Sequence, residues 1–398
     1  MKYFTVKNDV AADKRVVADD MILTKKIPTT AGSKMLDGYV SLFEGEVLTR
    51  LADAGYALAG KARVGEFAFD LLGETAFEGA CTENGALKYA SAEIVKEGDA
   101  MAAITFDVNG APRRAAAQSG LCAIKPTYGT VSRFGTVPVA CSGETVDVIA
   151  SNAADCRAIL DAIVGHDDKD GTSLPQSQID AGKADAKPIR RVAILTDLTD
   201  TADAEMQAKV AEFCSVLAKC GVETAKIESP VIAASRIAWN VLMSAELCNN
   251  VSRYDGVKYG YRAENFSGLD ELYTNSRTEA FGELLKSTIL FGSETLSTEN
   301  YMKVYDKALR TRRVIVEEFA KIFADFDAVL MPAASALSYA EDAVKANKYL
   351  VFEENRYTAP ASVTGLPALV VSGVQLVGRA FSEGALLDLA ACCEKEGV

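Results

Sequence analysis

The sequence predicts an α/β protein, on three observations. Short β-type runs alternate with amphipathic helical patterns along the chain. Residues 190–197, 203–221 and 222–229 form a strand–helix–strand series, whose two strands are expected to pair in parallel. With 398 residues, 49% apolar and 24% charged, the chain has the length and composition to close over a large core.

Each element follows from its local pattern. VVADDMIL (16–23) reads as a strand leading into a loop. EVLTRLADAGYALAGKA (46–62) reads as a helix that stops near Gly55, then a strand, because glycine readily takes the left-handed conformation of a helix end. AAITFDV (102–108) is an apolar run fit for a buried strand. NAADCRAILDAIVG (152–165) reads as a helix capped by Ser151 or Asn152, whose side-chain oxygens can accept from first-turn amides. Residues 167–189 are polar and read as a loop. Long helical patterns fill 233–252 and 299–323. DAVLMPA (327–333) and LPALVV (366–371) read as core strands, and 382–397 as a terminal helix. The strands are too dispersed to fix their order.

The net charge of −13 repels a phosphate backbone, which argues against direct nucleic-acid binding. The nine cysteines form no C-x-x-C pair, so neither a disulfide framework nor a zinc site is expected, and a reducing cytoplasm fits. No apolar run reaches membrane-spanning length, and the N-terminus lacks a signal-peptide core. The one histidine, His166, lies in the polar stretch GHDDKDGTS and reads as a solvated loop residue. A Ser-His-Asp triad and a histidine metal site are therefore not expected.

An ordered series of segments carries more. IKPTYGTVSRFG (124–135) is joined by TKKIPTTAGSKML (24–36), AGKARVGEFA (59–68), GHDDKDGTS (165–173), SRYDGVKYGYRA (252–263), SRTEAFGE (276–283) and TAPASVTGLPALVVSG (358–373). Over nearly the whole chain the sequence resembles the amidase signature family, and within it the A subunits of tRNA-dependent glutamine amidotransferases. The resemblance implies one α/β/α domain over 1–398 around a large mixed sheet, with the N-terminal helices of the family mostly replaced by YFTVKNDVAAD. It implies no cofactor and no metal.

The family's chemistry uses a neutral lysine, a bridging serine and a nucleophilic serine, with backbone amides of a glycine-rich turn stabilising the oxyanion. Matched residue by residue, Asp19 stands at the lysine, Leu87 at the bridging serine and Ala111 at the nucleophile. The turn before the nucleophile is Val108-Asn109-Gly110. The arginine and aspartate that grip an amino-acid substrate match Thr288 and Asn355. A methyl group cannot attack a carbonyl, and loss of a serine nucleophile alone costs about a millionfold in rate. A register slip of four would bring in Ser91, but with no partner for it.

Other residues carry weaker signals. Lys125 and Tyr128 in KPTYG read as a structural turn. Asp19-Asp20 reads as a solvated turn rather than a metal pair with Asp107. Arg113-Arg114 reads as a structural ion pair, and Trp239 as core. Cys141-Ser142 is the candidate for a replacement nucleophile. The expected function is that of a catalytically degenerate family member, a binding or scaffolding subunit. Its partner would be an active paralogue, another amidotransferase-like protein or a second copy, and its neutral pocket could take a small-molecule ligand. The alternative is an amidase or amidotransferase-like hydrolase with a rebuilt site, drawing on Cys141, Ser142, Asp19 and Lys125.

Overall fold

The computed structural model describes residues 2–10 and 14–397. Its strands are β1 (Phe4–Lys7), β2 (Arg15–Asp19), β3 (Ala57–Ala62), β4 (Thr82–Glu83), β5 (Ala86–Leu87), β6 (Ala102–Asp107) and β7 (Cys122–Lys125). They continue as β8 (Thr145–Ala150), β9 (Arg191–Leu195), β10 (Glu223–Ile227), β11 (Ala328–Pro332), β12 (Ala368–Val371) and β13 (Val374–Gly378). Eleven of them form one mixed sheet in the order β1-β3-β2-β6-β8-β7-β12-β13-β11-β9-β10, while β4 and β5 pair separately. β9 and β10 pair in parallel, as the βαβ pattern predicts.

Every residue of β6, β7, β8, β11, β12 and β13 is buried, because helices cover both faces of the sheet. That is why β6, β11 and β12 read as continuous apolar runs rather than alternating ones. The edge strand β10 differs, with four of its five residues exposed. The helix Ala153–Ile163 starts where its cap was expected: Asn152 accepts from the Asp155 amide at 2.8 Å.

Three expectations need correction. The polar stretch 167–189 contains a helix, Gln176–Ala184. It buries only Ile179, so it shows little apolar periodicity. Asp19 and Asp20 do not form a solvated turn, since both are fully buried. The segment YFTVKNDVAAD supplies β1, which pairs antiparallel with β3 at the sheet edge; Ala11, Ala12 and Asp13 lie outside the described residues. The expectation that no apolar run reaches membrane-spanning length also needs correction: Pro230–Val251 has the length and mean hydropathy of a membrane span. Here it buries Trp239, Leu242, Met243 and Leu247 in the core.

Candidate functional site

At the end of β6 the chain turns through Val108, Asn109 and Gly110 into the helix Ala111–Ser119. Gly110 has φ 85°, and its amide donates to Asp107 Oδ1 at 2.8 Å. A Cβ at Gly110 would lie 2.3 Å from Thr358 Cβ, so no larger residue fits. Pro112 suits the first helical turn, where its missing N–H has no intrahelical acceptor to lose.

Two arginines lock the turn from within. Arg113 Nε donates to Asp107 Oδ2 at 2.7 Å, and the rest of its guanidinium donates to Thr358 O, Gln375 Oε1 and Ser362 Oγ. Arg114 donates to Asn109 O at 2.7 Å and to Asp70 O at 3.1 Å. Both are fully buried, which is tolerable only because their donors are so widely satisfied. The structural role expected for this pair holds. Ala111 begins the helix with a methyl group and is 1% exposed.

Beside it, Asp19 ends β2, the parallel neighbour of β6. Its carboxylate accepts from Tyr89 Oη at 2.5 Å, from Ser91 Oγ at 2.5 Å and from the Phe106 amide at 2.8 Å. Burial pushes the Asp19 carboxyl up to about 6 despite those three donors. The expectation that Ser91 would lack a partner is therefore overturned: its partner is Asp19, 72 residues away. Leu87 lies in the β4–β5 hairpin, where its amide donates to Tyr339 O at 2.8 Å and its side chain is buried.

The three neighbouring carboxylates go separate ways. Asp19 takes the two hydroxyls, Asp20 pairs with Lys61 at 2.9 Å, and Asp107 pairs with Arg113 at 2.7 Å. Among the described residues no group of three His, Cys, Asp or Glu side chains is arranged to hold a metal ion.

Trp239 was legible as core, but not as the residue that fills this space. Its indole N–H donates to Asn109 Oδ1 at 3.1 Å, and a Cβ added to Gly143 would meet its ring at 2.3 Å. Asn109 in turn donates to Phe69 O at 2.9 Å. Asn355 is buried against the Asn109 and Asn240 amides. Val108 is fully buried. Thr288 is buried on the helix Glu283–Thr295, where its hydroxyl donates to Leu284 O at 2.8 Å. The structure thus gathers Asp19, Val108, Asn109, Gly110, Ala111 and Asn355 into one buried region, with Thr288 bonded within its own helix.

Cys141 and Ser142 lie on the other side of Trp239, half-buried. Ser142 donates through both its amide, at 2.9 Å, and its hydroxyl to the Glu246 carboxylate. Arg312 donates to Ser142 O at 2.9 Å, and Tyr128 Oη to Cys141 O at 2.6 Å. Burial raises the Cys141 thiol above its ordinary value, which keeps it protonated and weakly nucleophilic at neutral pH. Lys125 is fully buried and donates to Leu366 O at 3.0 Å; burial lowers its ammonium to about 8. Lys125 and Tyr128 therefore anchor the turn, as expected.

The family profile described as Amidase matches residues 17–387. The chain belongs to the amidase signature family. Among its relatives in this family, the A subunit of glutamyl-tRNA(Gln) amidotransferase from Lachnoclostridium phytofermentans is 33% identical, over 96% of this chain and 82% of the relative. The A subunit from Thermotoga maritima has a solved structure with a TM-score of 0.81 and 25% identity, covering 99% of this chain and 87% of that one. The K. lactis urea amidolyase shares the fold, with a TM-score of 0.82 at 22% identity over 96% of this chain and 23% of that one. The large mixed sheet flanked by helices is the amidase fold that the sequence implied.

Proposed function

We propose that this amidase-family chain no longer hydrolyses amides and serves as a binding or scaffolding subunit. In this reading the chain acts as one domain over 1–398, with Asp19, Leu87 and Ala111 standing where the family's lysine, bridging serine and nucleophile would be. The single observation that carries the reading is the closure at Ala111. A methyl group, 1% exposed, begins the helix directly after Gly110, which abuts Thr358, and Asn109, which accepts from the Trp239 indole. The Ser91 hydroxyl, four residues past Leu87, is fully buried on Asp19.

Support for a binding role comes from apolar side chains left at the surface. Leu290 is 72% exposed, and Phe291, Leu296, Tyr301 and Met302 follow it along one helix end and turn. Exposed apolar groups of this density favour a protein contact. The partner in this reading is an active paralogue or an amidotransferase-like protein, met in the cytoplasm.

The test is ammonia release from glutamine, asparagine and propionamide by the purified chain. The reading predicts no release above buffer, and co-elution with purified amidotransferase subunits of the same organism in size-exclusion chromatography. Turnover that Ser91→Ala or Ser142→Ala abolishes would overturn it.

One observation favours the second reading, a hydrolase with a rebuilt site. The half-buried Ser142 hydroxyl is held by the Glu246 carboxylate, an acceptor within reach of its proton. A fluorophosphonate probe separates the two: covalent capture at Ser142 supports the rebuilt hydrolase, and an unmodified Ser142 supports the scaffold.

A further inference from the structure

Three cysteines far apart in sequence come together where two helices end. Cys220 caps the C-terminus of the helix Ala204–Lys219, and Cys392 and Cys393 lie in the last turns of the helix Glu383–Lys395. Cys220 Sγ and Cys393 Sγ are 3.9 Å apart, across 173 residues of chain. Cys393 is fully buried, whereas Cys220 and Cys392 are half-buried.

We propose that Cys220 and Cys393 are a reversible redox modification site that closes to an intramolecular disulfide. A disulfide needs its sulfurs at about 2.05 Å, so closure requires an approach of about 2 Å. The backbone beside Cys220 can supply that movement. Gly221 follows it with φ 73°, and a Cβ built on Gly221 meets nothing within 4 Å. The exposed side of the pair is Cys220, so the oxidant enters there.

The oxidant is a low-molecular-weight disulfide, RSSR. The Cys220 thiolate attacks one sulfur, forms a Cys220–S–S–R bond and expels RS⁻. Cys393 then gives up its proton and attacks Cys220 Sγ, breaking the mixed bond and expelling the second RS⁻. Two protein thiols and RSSR become one protein disulfide and two RSH, and a dithiol reductant reverses the exchange. Burial, and after it the Cys392 thiol, holds Cys220 up to about 11, so the thiolate fraction is small and closure is slow.

Closure ties the exposed end of the sheet to the chain-terminal helix. On one side the helix ending at Cys220 runs directly into β10. On the other, Glu383 accepts from the Thr127 amide at 2.6 Å, and Glu394 from the Ala153 amide at 2.7 Å. The link would join two parts of the fold that are distant in sequence, and it restricts the unfolded chain over a long loop.

The test is incubation of the reduced, folded protein with glutathione disulfide at pH 8, followed by thiol counting, non-reducing peptide mapping and thermal melting. The expected result is loss of two thiols, a Cys220–Cys393 peptide pair with no glutathione adduct, and a Tm raised by a few degrees that dithiothreitol reverses. Cys393→Ser is expected to stop at a glutathione adduct on Cys220, Cys220→Ser to block both products, and Cys392→Ser to leave closure intact. A Cys392–Cys393 pairing, a stable adduct on Cys220 in the parent, or all nine thiols remaining free after prolonged oxidation would overturn the proposal.

Discussion

The turn at Asp107–Ala111 and the corner at Cys141–Ser142 lie on either side of Trp239, and they offer a ligand opposite things. In and beside the turn the polar side chains are buried and partnered: Asp107 by Arg113, Asn109 by Trp239 and Phe69, Asp19 by Tyr89 and Ser91. At the corner, a hydroxyl and a thiol remain half-buried, held by Glu246 and beside Asn250. The first region combines rigid packing with a methyl group at the helix start. The second keeps nucleophilic atoms near the surface: a hydroxyl in contact with the Glu246 carboxylate, and a thiol that burial keeps protonated. In the proposed reading motif and chemistry have separated: the strand–turn–helix is kept as architecture, and the candidate nucleophilic atoms lie at the corner.

The contrast between the two regions is tested hardest at the turn. Arg113→Ala leaves Asp107 as an uncompensated buried charge, and such losses cost about 3–5 kcal/mol. Urea denaturation is expected to show that loss, and a change below about 1 kcal/mol would mean the pair is not buried as described.

The next effect is a dependence on pH. The Asp19 carboxyl titrates near 3.8 when unperturbed and at about 6 in the folded chain. The folded state therefore keeps a proton that the unfolded state releases between those values. Stability from this group is fully present below about pH 4 and is lost as pH rises to 6, by about 3 kcal/mol. Because Glu66, pushed up to about 7 by burial, is common to both proteins, the quantity to measure is the stability difference between the parent and Asp19→Asn. Relative to the variant, the parent is expected to weaken from pH 4 to 6. A flat difference would contradict the burial of Asp19.

Trp239→Phe tests the wall between the two regions. It keeps most of the apolar volume and leaves Asn109 Oδ1 without its donor, for a cost of about 1–3 kcal/mol. The smallest effect belongs to the corner. Ser142→Ala removes a half-buried hydrogen bond and is expected to change stability by less than about 1 kcal/mol. Alkylation of Cys141, followed by peptide mass mapping, is expected to keep accelerating about tenfold per pH unit up to pH 9, because its thiol titrates above that value. A plateau near neutral pH would identify an activated thiol and favour a rebuilt site.

Much of this was legible in the sequence, for identifiable reasons. β6, β11 and β12 are buried on both faces, so their apolar runs announced them, and the order of the KPTYG and neighbouring segments announced the fold. The register of Ala111 could be argued because recognisable residues anchor it on both sides, Asp107 four residues before and Lys125 fourteen after; the structure puts it at the start of the helix that follows the turn. The surroundings were not. Asp19 finds Tyr89 and Ser91 across 70 and 72 residues, a pairing made by the sheet rather than by any local pattern. Trp239 looked like any buried aromatic residue, and nothing local linked it to Asn109, 130 residues away. The helix Gln176–Ala184 stayed hidden because a helix that buries one side chain has almost no apolar face.

The most direct measurement is the solvent access of position 111. Ala111→Cys adds one thiol to the nine already present, and its reaction with a small methanethiosulfonate reagent can be followed by peptide mass mapping. A closed site predicts that Cys at 111 stays unmodified in the folded protein and reacts at once in urea. Modification in the folded protein at the rate seen in urea would mean an open cleft, and the account of a sealed, unreactive amidase fold would fail.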